Sequence, residues 1–213
     1  MSPLASASGI VIVDYGMGNV GSIQNMLRHL GFTALISSRV EDIETAHRLI
    51  IAGVGAFDTA MTSLAELGLL PVLHRRALRD KVPVLGICLG MQIFTAKSQE
   101  GKLPGLGWFD AETVRFRFPE TGERLKVPHM GWNRVSLRKP SRLTTGLLEE
   151  PRFYFVHSFH CVCNDTSDEL MTTAYGQPFA SAIERENLFG VQFHPEKSHR
   201  FGMKLLENFA RID

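Results

Sequence analysis

Cysteine, net charge and long apolar runs are all scarce in this chain of 213 residues. Its three cysteines are an odd number for a disulfide framework, which favours a reducing, cytoplasmic environment. The formal net charge of +1 gives no reason to expect a nucleic acid or a membrane as a partner. No apolar run approaches the roughly 18 residues of a membrane-spanning helix. With 44% apolar and 21% charged residues, the composition is typical of a globular domain.

The N-terminal segment, residues 1–8, lacks the basic region and the long apolar core of a signal peptide, and we expect it to be a disordered tail. The remaining residues, 9–213, are numerous enough to bury a sizeable core. They contain no internal repeat, low-complexity segment or interdomain linker. A single domain is therefore predicted over residues 9–213.

Strand and helix patterns alternate through the first half of the chain. Buried strands are predicted at Ile10–Val13, Ala34–Ile36, Arg48–Ala52 and the apolar run from Val82, with helices at Val20–Leu30, Asp58–Leu67 and Pro71–Asp80. This alternation predicts an α/β fold in which a doubly wound, mostly parallel sheet carries helices on both faces.

The second half has a different texture, with shorter strands separated by turn residues. The predicted strands are Trp108–Phe118, Arg124–Val127, Asn133–Leu137, Arg152–Val156, Leu170–Ala174, Phe179–Glu184 and Leu188–Phe193, and the closing helix is His199–Phe209. These strands predict a small antiparallel extension of the sheet. The segment Pro128–Asn133 is expected to be a loop, whose large apolar side chains fit either buried packing or a partner surface.

The most informative stretch contains Cys88, with Gly86 and Gly90 two residues away on each side. It begins as an apolar strand and continues as Leu89–Ala96, which predicts the first turns of a helix. Two backbones approach closely at such a strand-to-helix turn, and side chains at the glycine positions would collide. The pattern predicts a nucleophile elbow, in which a helix N-terminus favours the thiolate. An inert core thiol is the alternative.

A base for this thiol is offered by His194-Pro195-Glu196, which follows the last predicted strand. Histidine takes a proton near neutral pH. Its other ring nitrogen needs an orienting partner, which Glu196 can supply because the proline fixes the turn between them. We therefore predict a Cys-His-Glu triad.

A glycine-flanked peptide at Gly53-Val54-Gly55 follows the third strand. Its glycines leave the peptide of Val54 free to rotate, so that its N–H can point at an oxyanion. An ordinary turn between strand and helix is the alternative.

Three weaker motifs suggest other chemistry. The run Gly16-x-Gly18-x-x-Gly21 imitates a dinucleotide fingerprint, but no acidic residue ends the second strand. Cys161 and Cys163 alternate as in a strand, so both thiols are expected on one face, yet a metal site needs two more ligands. Ser158 beside histidines suggests a Ser-His hydrolase, although this serine lacks an elbow.

The cysteine elbow and His-Pro-Glu together resemble the class I (triad-type) glutamine amidotransferases. Within that family, further segments resemble the glutaminase subunits of imidazole glycerol phosphate synthases. The carrying segments are Asp14–Asn19, Gly53–Phe57, Gly86–Gln92, Pro128–Asn133, Tyr154–Ser158 and Gly190–Ser198. They keep the family's order and span nearly the whole chain.

The resemblance implies a role for each matching position. Cys88 would attack glutamine, with His194 moving the proton and Glu196 orienting it. The oxyanion would be held by backbone N–H groups of Val54 and Leu89, in a loop that includes Gly53. Binding of the glutamine head is implied for four residues, Gln92, Glu100, Ser158 and Phe159. No cofactor and no metal is implied.

The resemblance also implies a partner, a (β/α)8-barrel synthase subunit that would use the ammonia to make imidazole glycerol phosphate and an aminoimidazole carboxamide ribotide. Four residues match positions near that interface, namely Asn19, Trp132, Tyr154 and Lys197.

Two departures from the family pattern stand out, because Ala52 replaces a proline before the oxyanion loop and Gly21 replaces a basic residue. These departures, with the sequence from His199 to Lys204, leave an alternative acceptor open, an amidino sugar of surface polysaccharides. A lone cysteine hydrolase and a non-catalytic binding subunit on the same fold are also open.

Overall fold

The computed structural model describes residues 9–118 and 125–213. The strands are β1 Ile10–Val13, β2 Ala34–Ser37, β3 Arg48–Gly53, β4 Val84–Cys88, β5 Lys97–Ser98, β6 Ala111–Arg115, β7 His129–Arg134, β8 Ser136–Leu137, β9 Arg152–His157, β10 Phe159–Cys163, β11 Glu169–Tyr175, β12 Gln177–Arg185 and β13 Leu188–Val191. The helices are α1 Val20–His29, α2 Val40–Thr45, α3 Phe57–Glu66, α4 Leu70–His74, α5 Leu89–Gln92 and α6 His199–Ala210. The tail predicted at residues 1–8 lies outside the described residues.

Within the described residues, eleven strands form one sheet. Strands β2, β1, β3, β4 and β13 lie side by side in that order and are parallel. Strands β12, β10 and β6 continue the sheet in antiparallel fashion. Strands β7 and β9 form a separate antiparallel pair. The predicted α/β sheet with an antiparallel extension is therefore confirmed.

Two apolar cores cover the opposite faces of the parallel strands. Alternate residues face opposite sides: Ile50 packs into the core beneath α1 and α6, and Ile51 into the core beneath α2, α3 and α4. A strand that is buried on both faces must be apolar throughout, which explains the continuous runs in β1, β3 and β4. Among the described residues, no helix is both long and apolar enough to cross a bilayer.

Several element predictions need correction. Helix α5 ends at Gln92 instead of continuing to Ala96, because the chain returns and the N–H groups of Leu106 and Trp108 bond the carbonyls at its end. Helix α4 continues as a π-helical turn, Arg75–Arg79. No strand is present at residues 125–127, and Arg124 lies outside the described residues.

The predicted loop Pro128–Asn133 is wrong, because most of it is strand β7. Its pairing with β9 sets Trp132 opposite Tyr154 and His129 opposite His157. Alternation along β7 buries His129 and exposes Met130 and Trp132. The large apolar residues hid this alternation in the sequence because they lie on the exposed face.

Candidate active site

Cys88 ends β4 in a conformation that side chains rarely adopt, with φ 55° and ψ −110°. Such backbone strain costs on the order of 1–3 kcal/mol and persists only where the surroundings enforce it. The flanking glycines permit the turn: a Cβ at Gly90 would overlap the carbonyl of Ile51, and one at Gly86 would lie 2.6 Å from the carbonyl oxygen of Gly90. The sulfur is therefore held at the carboxyl edge of the sheet.

His194 and Glu196 form a buried pair at the same edge. Nδ1 of His194 lies 2.8 Å from Oε1 of Glu196, with Pro195 in the turn between them. The backbone of His194 is fixed as well, because its N–H donates to the carbonyl of Tyr154 and its carbonyl accepts from the Ser198 hydroxyl. One ring nitrogen is thus committed to the carboxylate, and Nε2 has no hydrogen-bond partner among the described residues.

The sheet register brings this pair to the thiol. Strands β4 and β13 are parallel neighbours with Ile87 opposite Val191, so the segments that follow the two strands leave the sheet at the same place. Burial acts to lower the pKa of His194, but Cys88 and Glu196 outweigh burial and raise that pKa to about 9. The raised pKa favours the imidazolium form of His194 near neutral pH.

Gln192 is a contact of the thiol that the sequence analysis missed. Its buried Nε2 donates toward Sγ of Cys88 at 3.7 Å, and its Oε1 accepts from Nε2 of Gln92 at 3.1 Å. A signal was available in the sequence, because Gln192 and His194 stand two residues apart in an extended segment and extended residues at i and i+2 share a face.

A cavity of about 330 Å³ adjoins the sulfur and gathers most of the predicted site residues. Its lining includes Val54, Cys88, Leu89, Gln92, Glu100, Ser158 and Phe159. Gly53 lies just behind it, paired in register with Cys88. His194 is not among the lining residues, whereas His157 is, and the sulfur of Cys88 is the nucleophile that faces the cavity.

The predicted oxyanion loop lies open to this cavity, and Val54 is 46% exposed. Gly55 has φ 116°, which a side chain would make unfavourable. Beneath the loop, the hydroxyl of Tyr15 contacts Gly53 so closely that a Cβ there would overlap it. This hydroxyl is buried without a hydrogen-bond partner among the described residues, and burial, together with Cys88, raises the pKa of Tyr15.

Opposite the loop, polar groups of the cavity wall are held by the fold. Nε2 of Gln92 donates to the carbonyl of Phe159 at 3.0 Å. One carboxylate oxygen of Glu100 accepts from the N–H of Phe57 at 2.9 Å, which fixes this anion at the start of α3. Ser158 joins β9 to β10, which belong to different sheets, at the point where the cavity opens.

The predicted interface residues form an exposed cluster on the outer face of the β7–β9 pair. Trp132 is 45% exposed and lies edge-on to Tyr154, with ring centroids 6.4 Å apart. Nζ of Lys197 lies 5.8 Å from the centre of the Tyr154 ring. Asn19 is exposed at the start of α1, which packs against the turn that contains Lys197.

A larger cavity of about 570 Å³ lies beside this cluster, lined by Trp132, Arg152, His199, Arg200 and Phe201. It contains no nucleophile. The smaller cavity, which holds Cys88, is therefore the candidate active site.

The structure gives little support to the weaker motifs of the sequence. Cys161 and Cys163 do face one side, as expected from the alternation, and burial raises the pKa of both thiols, so neither is reactive near neutral pH. The described residues contain no group of three or more potential metal ligands. Among the described residues, no histidine bonds the Ser158 hydroxyl, as a Ser-His hydrolase requires.

Comparison with known proteins agrees with this geometry. Residues 11–212 match the family model described as glutamine amidotransferase class-I. The chain is 52% identical over 202 residues to imidazole glycerol phosphate synthase subunit HisH 2 of Methanococcus maripaludis, covering 95% of this chain and 98% of that protein. It is 49% identical over 203 residues to subunit HisH 2 of Pseudomonas aeruginosa, covering 95% and 99%.

Solved structures show the same fold at lower identity. A GMP synthase component from Thermoplasma acidophilum aligns with a TM-score of 0.68 at 22% identity, covering 94% of this chain and 91% of that one. PurLQS from Thermotoga maritima aligns with a TM-score of 0.67 at 15% identity, covering 94% of this chain and 96% of that one. With a family model that spans nearly the whole chain and relatives near 50% identity, this enzyme belongs to the class I glutamine amidotransferases.

Proposed function

We propose that the chain hydrolyses the side-chain amide of glutamine through Cys88, His194 and Glu196. The observation that carries this proposal is the strained cysteine, which faces a cavity and raises the pKa of a histidine already paired with a carboxylate. Family membership supports the same chemistry.

In the proposed mechanism, the Cys88 thiolate attacks the amide carbon of glutamine and a C–S bond forms. Negative charge moves to the carbonyl oxygen, where N–H groups of Val54 and Leu89 would stabilise it, in the loop that begins at Gly53. The C–N bond breaks as His194 donates its proton to the departing nitrogen, which leaves as ammonia. A γ-glutamyl thioester remains on the sulfur.

Water then completes the cycle. His194 takes a proton from the water, the resulting hydroxide attacks the thioester, and glutamate leaves as Cys88 is restored. Glu196 keeps Nδ1 of the ring occupied in both steps, so that Nε2 carries the moving proton. No cofactor or metal enters this sequence of steps.

The cavity wall would recognise the amino-acid head of glutamine. Glu100 presents a carboxylate that suits the α-ammonium group, and Gln92 presents a side-chain oxygen. Ser158 and Phe159 would contact the head along their backbone. Hydrogen bonds from Phe116 to the carbonyl of Ser158 and from Gln92 to the carbonyl of Phe159 hold this backbone in place. The chemistry of the wall thus matches a small zwitterion with an amide.

We further propose that the ammonia passes to a (β/α)8-barrel synthase subunit that makes imidazole glycerol phosphate and an aminoimidazole carboxamide ribotide. The names of the relatives support a synthase subunit, and they do not favour the amidino-sugar acceptor. The exposed cluster of Trp132, Tyr154 and Lys197, with Asn19 nearby, would contact the barrel. This role accounts for large apolar side chains on the outer face of β7.

Replacement of the nucleophile tests the glutaminase. In the complex purified from the natural host, Cys88→Ala should lower glutamine-dependent ammonia release by a factor on the order of 10³ or more. Cys161→Ala, which alters a buried thiol that does not line the cavity, is the matched control and should keep its activity. Retained hydrolysis in Cys88→Ala would end the proposal, and failure to trap a thioester would point to a binding subunit.

The proposed partner is tested by the product that the complex forms and by whether glutamine hydrolysis depends on the barrel subunit. Purified complex given glutamine and the phosphoribulosyl formimino-carboxamide substrate should form imidazole glycerol phosphate. Formation of no such product would contradict the proposed acceptor. Fast hydrolysis by the isolated chain, unaffected by the barrel subunit, would instead favour a lone cysteine hydrolase.

A further inference from the structure

Two buried histidines, which we call the histidine pair, join β7 to β9 at the wall of the cavity, which His157 helps to line. Nδ1 of His129 lies 3.0 Å from Nε2 of His157. The other nitrogens are bonded as well: Nδ2 of Asn133 lies 3.2 Å from Nε2 of His129, and Nδ1 of His157 lies 2.7 Å from the carbonyl oxygen of Phe159. All four ring nitrogens therefore have partners.

Asn133, His129, His157 and Phe159 form a run of hydrogen bonds, and the chemistry of its two end groups fixes the direction of every bond. Oδ1 of Asn133 accepts from the N–H of Arg134 at 2.8 Å, so its Nδ2 is the atom that donates to Nε2 of His129. A neutral His129 then carries its proton on Nδ1 and donates it to Nε2 of His157. His157 in turn carries its proton on Nδ1, and the carbonyl of Phe159 can only accept it.

Both rings are neutral at ordinary pH. Burial lowers the pKa of His129 to about 4 and that of His157 to about 3. A neutral histidine has one donor and one acceptor, so the run of bonds keeps a single direction from Asn133 to Phe159.

The same run continues to the nucleophile. The carbonyl of Phe159 also accepts from Nε2 of Gln92 at 3.0 Å, and this Nε2 donates to Oε1 of Gln192 at 3.1 Å. Nε2 of Gln192 points at Sγ of Cys88, 3.7 Å away. Both donors of the Gln92 amide are thereby used, so its Oε1 remains for the cavity. The amide donor of Gln192 remains for the sulfur.

We propose that His157 is a positioning residue for glutamine hydrolysis, acting through the carbonyl of Phe159. Its Nδ1–H holds that carbonyl, which fixes the amide of Gln92 and, through it, the amide of Gln192 against Cys88. This inference rests on the proposed function and adds to it a ring that lines the cavity, but whose two nitrogens are bonded to His129 and to the carbonyl of Phe159.

Packing alone gives no reason for polar rings at this position. The histidine pair lies among aromatic side chains, with Phe155 stacked on His129 at 4.8 Å and Phe179 5.3 Å from His157. Apolar residues of similar volume would fill such a site without needing hydrogen bonds. The polar pair is explained by what its bonds hold in place.

Two substitutions separate the nitrogens of His157. In His157→Asn, the amide nitrogen takes the place of Nδ1 and can still donate to Phe159. In His157→Gln, the amide takes the place of Nε2, so the bond to His129 is kept and the bond to Phe159 is lost. On the complex from the natural host, kcat/KM for glutamine should stay within about threefold in the first variant. It should fall at least about tenfold in the second, mainly through KM.

Equal losses in the two variants, or full activity in His157→Gln, would overturn the inference. Thermal unfolding of both variants shows whether a loss of activity is caused by lower stability of the fold or by loss of the hydrogen bond to Phe159. The Cys88→Ala variant separates the two proposals. Activity in that variant would contradict the proposed glutaminase mechanism. An inactive Cys88→Ala together with a fully active His157→Gln would contradict only the positioning role.

A measurement without any variant keeps the inference testable if both substitutions impair folding. Two-bond proton–nitrogen spectra of the ¹⁵N-labelled protein report which ring nitrogen of each histidine carries the proton. His129 and His157 should both be neutral at pH 7 with the proton on Nδ1. A proton on Nε2 of His157 would overturn the inference, because that tautomer cannot donate to Phe159.

Discussion

The two groups of buried histidines have opposite electrostatics. His194 is 2% exposed, and His129, His157 and His160 are between 3% and 5% exposed. The pKa of His194 is nevertheless raised to about 9, whereas burial lowers the pKa of the other three to about 4, 3 and 4. Burial opposes the charge in all four rings, but only His194 has a thiol and a carboxyl beside it.

Burial alone therefore does not decide what a histidine does. A ring whose neighbours are aromatic stays neutral and serves as a fixed donor and acceptor, as in the histidine pair. A ring with acidic neighbours is charged near neutral pH and can move a proton. Rates of ammonia release, pH profiles and unfolding curves can test this contrast.

The largest difference is expected between two variants, one from each group of histidines. His194→Asn should lower the rate of glutamine hydrolysis by about 10²–10⁴-fold, because the proposed proton carrier is lost. His160→Phe should stay within about twofold, since His160 does not line the cavity and stacks on Phe116 with ring centroids 4.4 Å apart. The measurement is ammonia release by the complex. Similar losses in both variants would show that the two groups are not functionally distinct.

A smaller effect is expected from Glu196→Gln, which removes one of the two groups that raise the pKa of His194. The pKa should then fall below about 9, so the alkaline limit of activity should move to lower pH, and kcat should drop by about 10–100-fold. The pH profile of glutamine hydrolysis measures this shift. Glu186→Gln, which alters a surface carboxylate bonded to Lys81, is the control. An unchanged alkaline limit in Glu196→Gln contradicts the assigned cause.

The third test follows stability against pH. The folded pKa of His160 lies below the unfolded value near 6.5, so its contribution to stability is present above pH 6.5 and is lost as pH falls toward 4. His160→Phe should therefore remove ~1–2 kcal/mol of the stability loss between pH 6.5 and 5. Urea unfolding at both pH values gives the difference. A parallel loss in wild type and variant would show that His160 titrates normally in the folded state.

The histidine with the raised pKa should behave in the opposite way. Its contribution to stability is complete below pH 6.5 and is lost as pH rises through about 9. The same unfolding series, extended to pH 9 with His194→Asn, should show a shallower alkaline loss in the variant. An identical alkaline loss would contradict the raised pKa.

The smallest effect is expected at Tyr15, whose buried hydroxyl lacks a hydrogen-bond partner among the described residues, unlike the ring nitrogens of the histidine pair. An unbonded polar group costs free energy when it is buried, so Tyr15→Phe should leave the free energy of unfolding unchanged or raise it by up to about 1 kcal/mol. Denaturant unfolding provides the number. A clear destabilisation would show that the hydroxyl has a partner in solution.

Much of this contrast could be predicted from the sequence, and some of it could not. The elbow at Cys88 and the pair His194–Glu196 were accessible because glycine spacing and a proline turn are local signals. The spacing of Gln192 and His194 could place both on one face, but the contact of Gln192 with Cys88 also depends on the register of β13 against β4, which the sequence does not specify. The histidine pair was missed because Pro128–Asn133 was predicted to be a loop, and its bonds exist only once β7 pairs with β9.

The parallel contact of β4 with β13 also has a consequence for synthesis of the protein. Gln192 and Cys88 are 104 positions apart, and the base comes two residues after Gln192. A ribosome therefore makes the thiol long before it makes the proposed base. On the proposed function, a growing chain carries an idle cysteine, and no amino donor can be consumed until β13 and the residues after it have been translated and have docked beside β4.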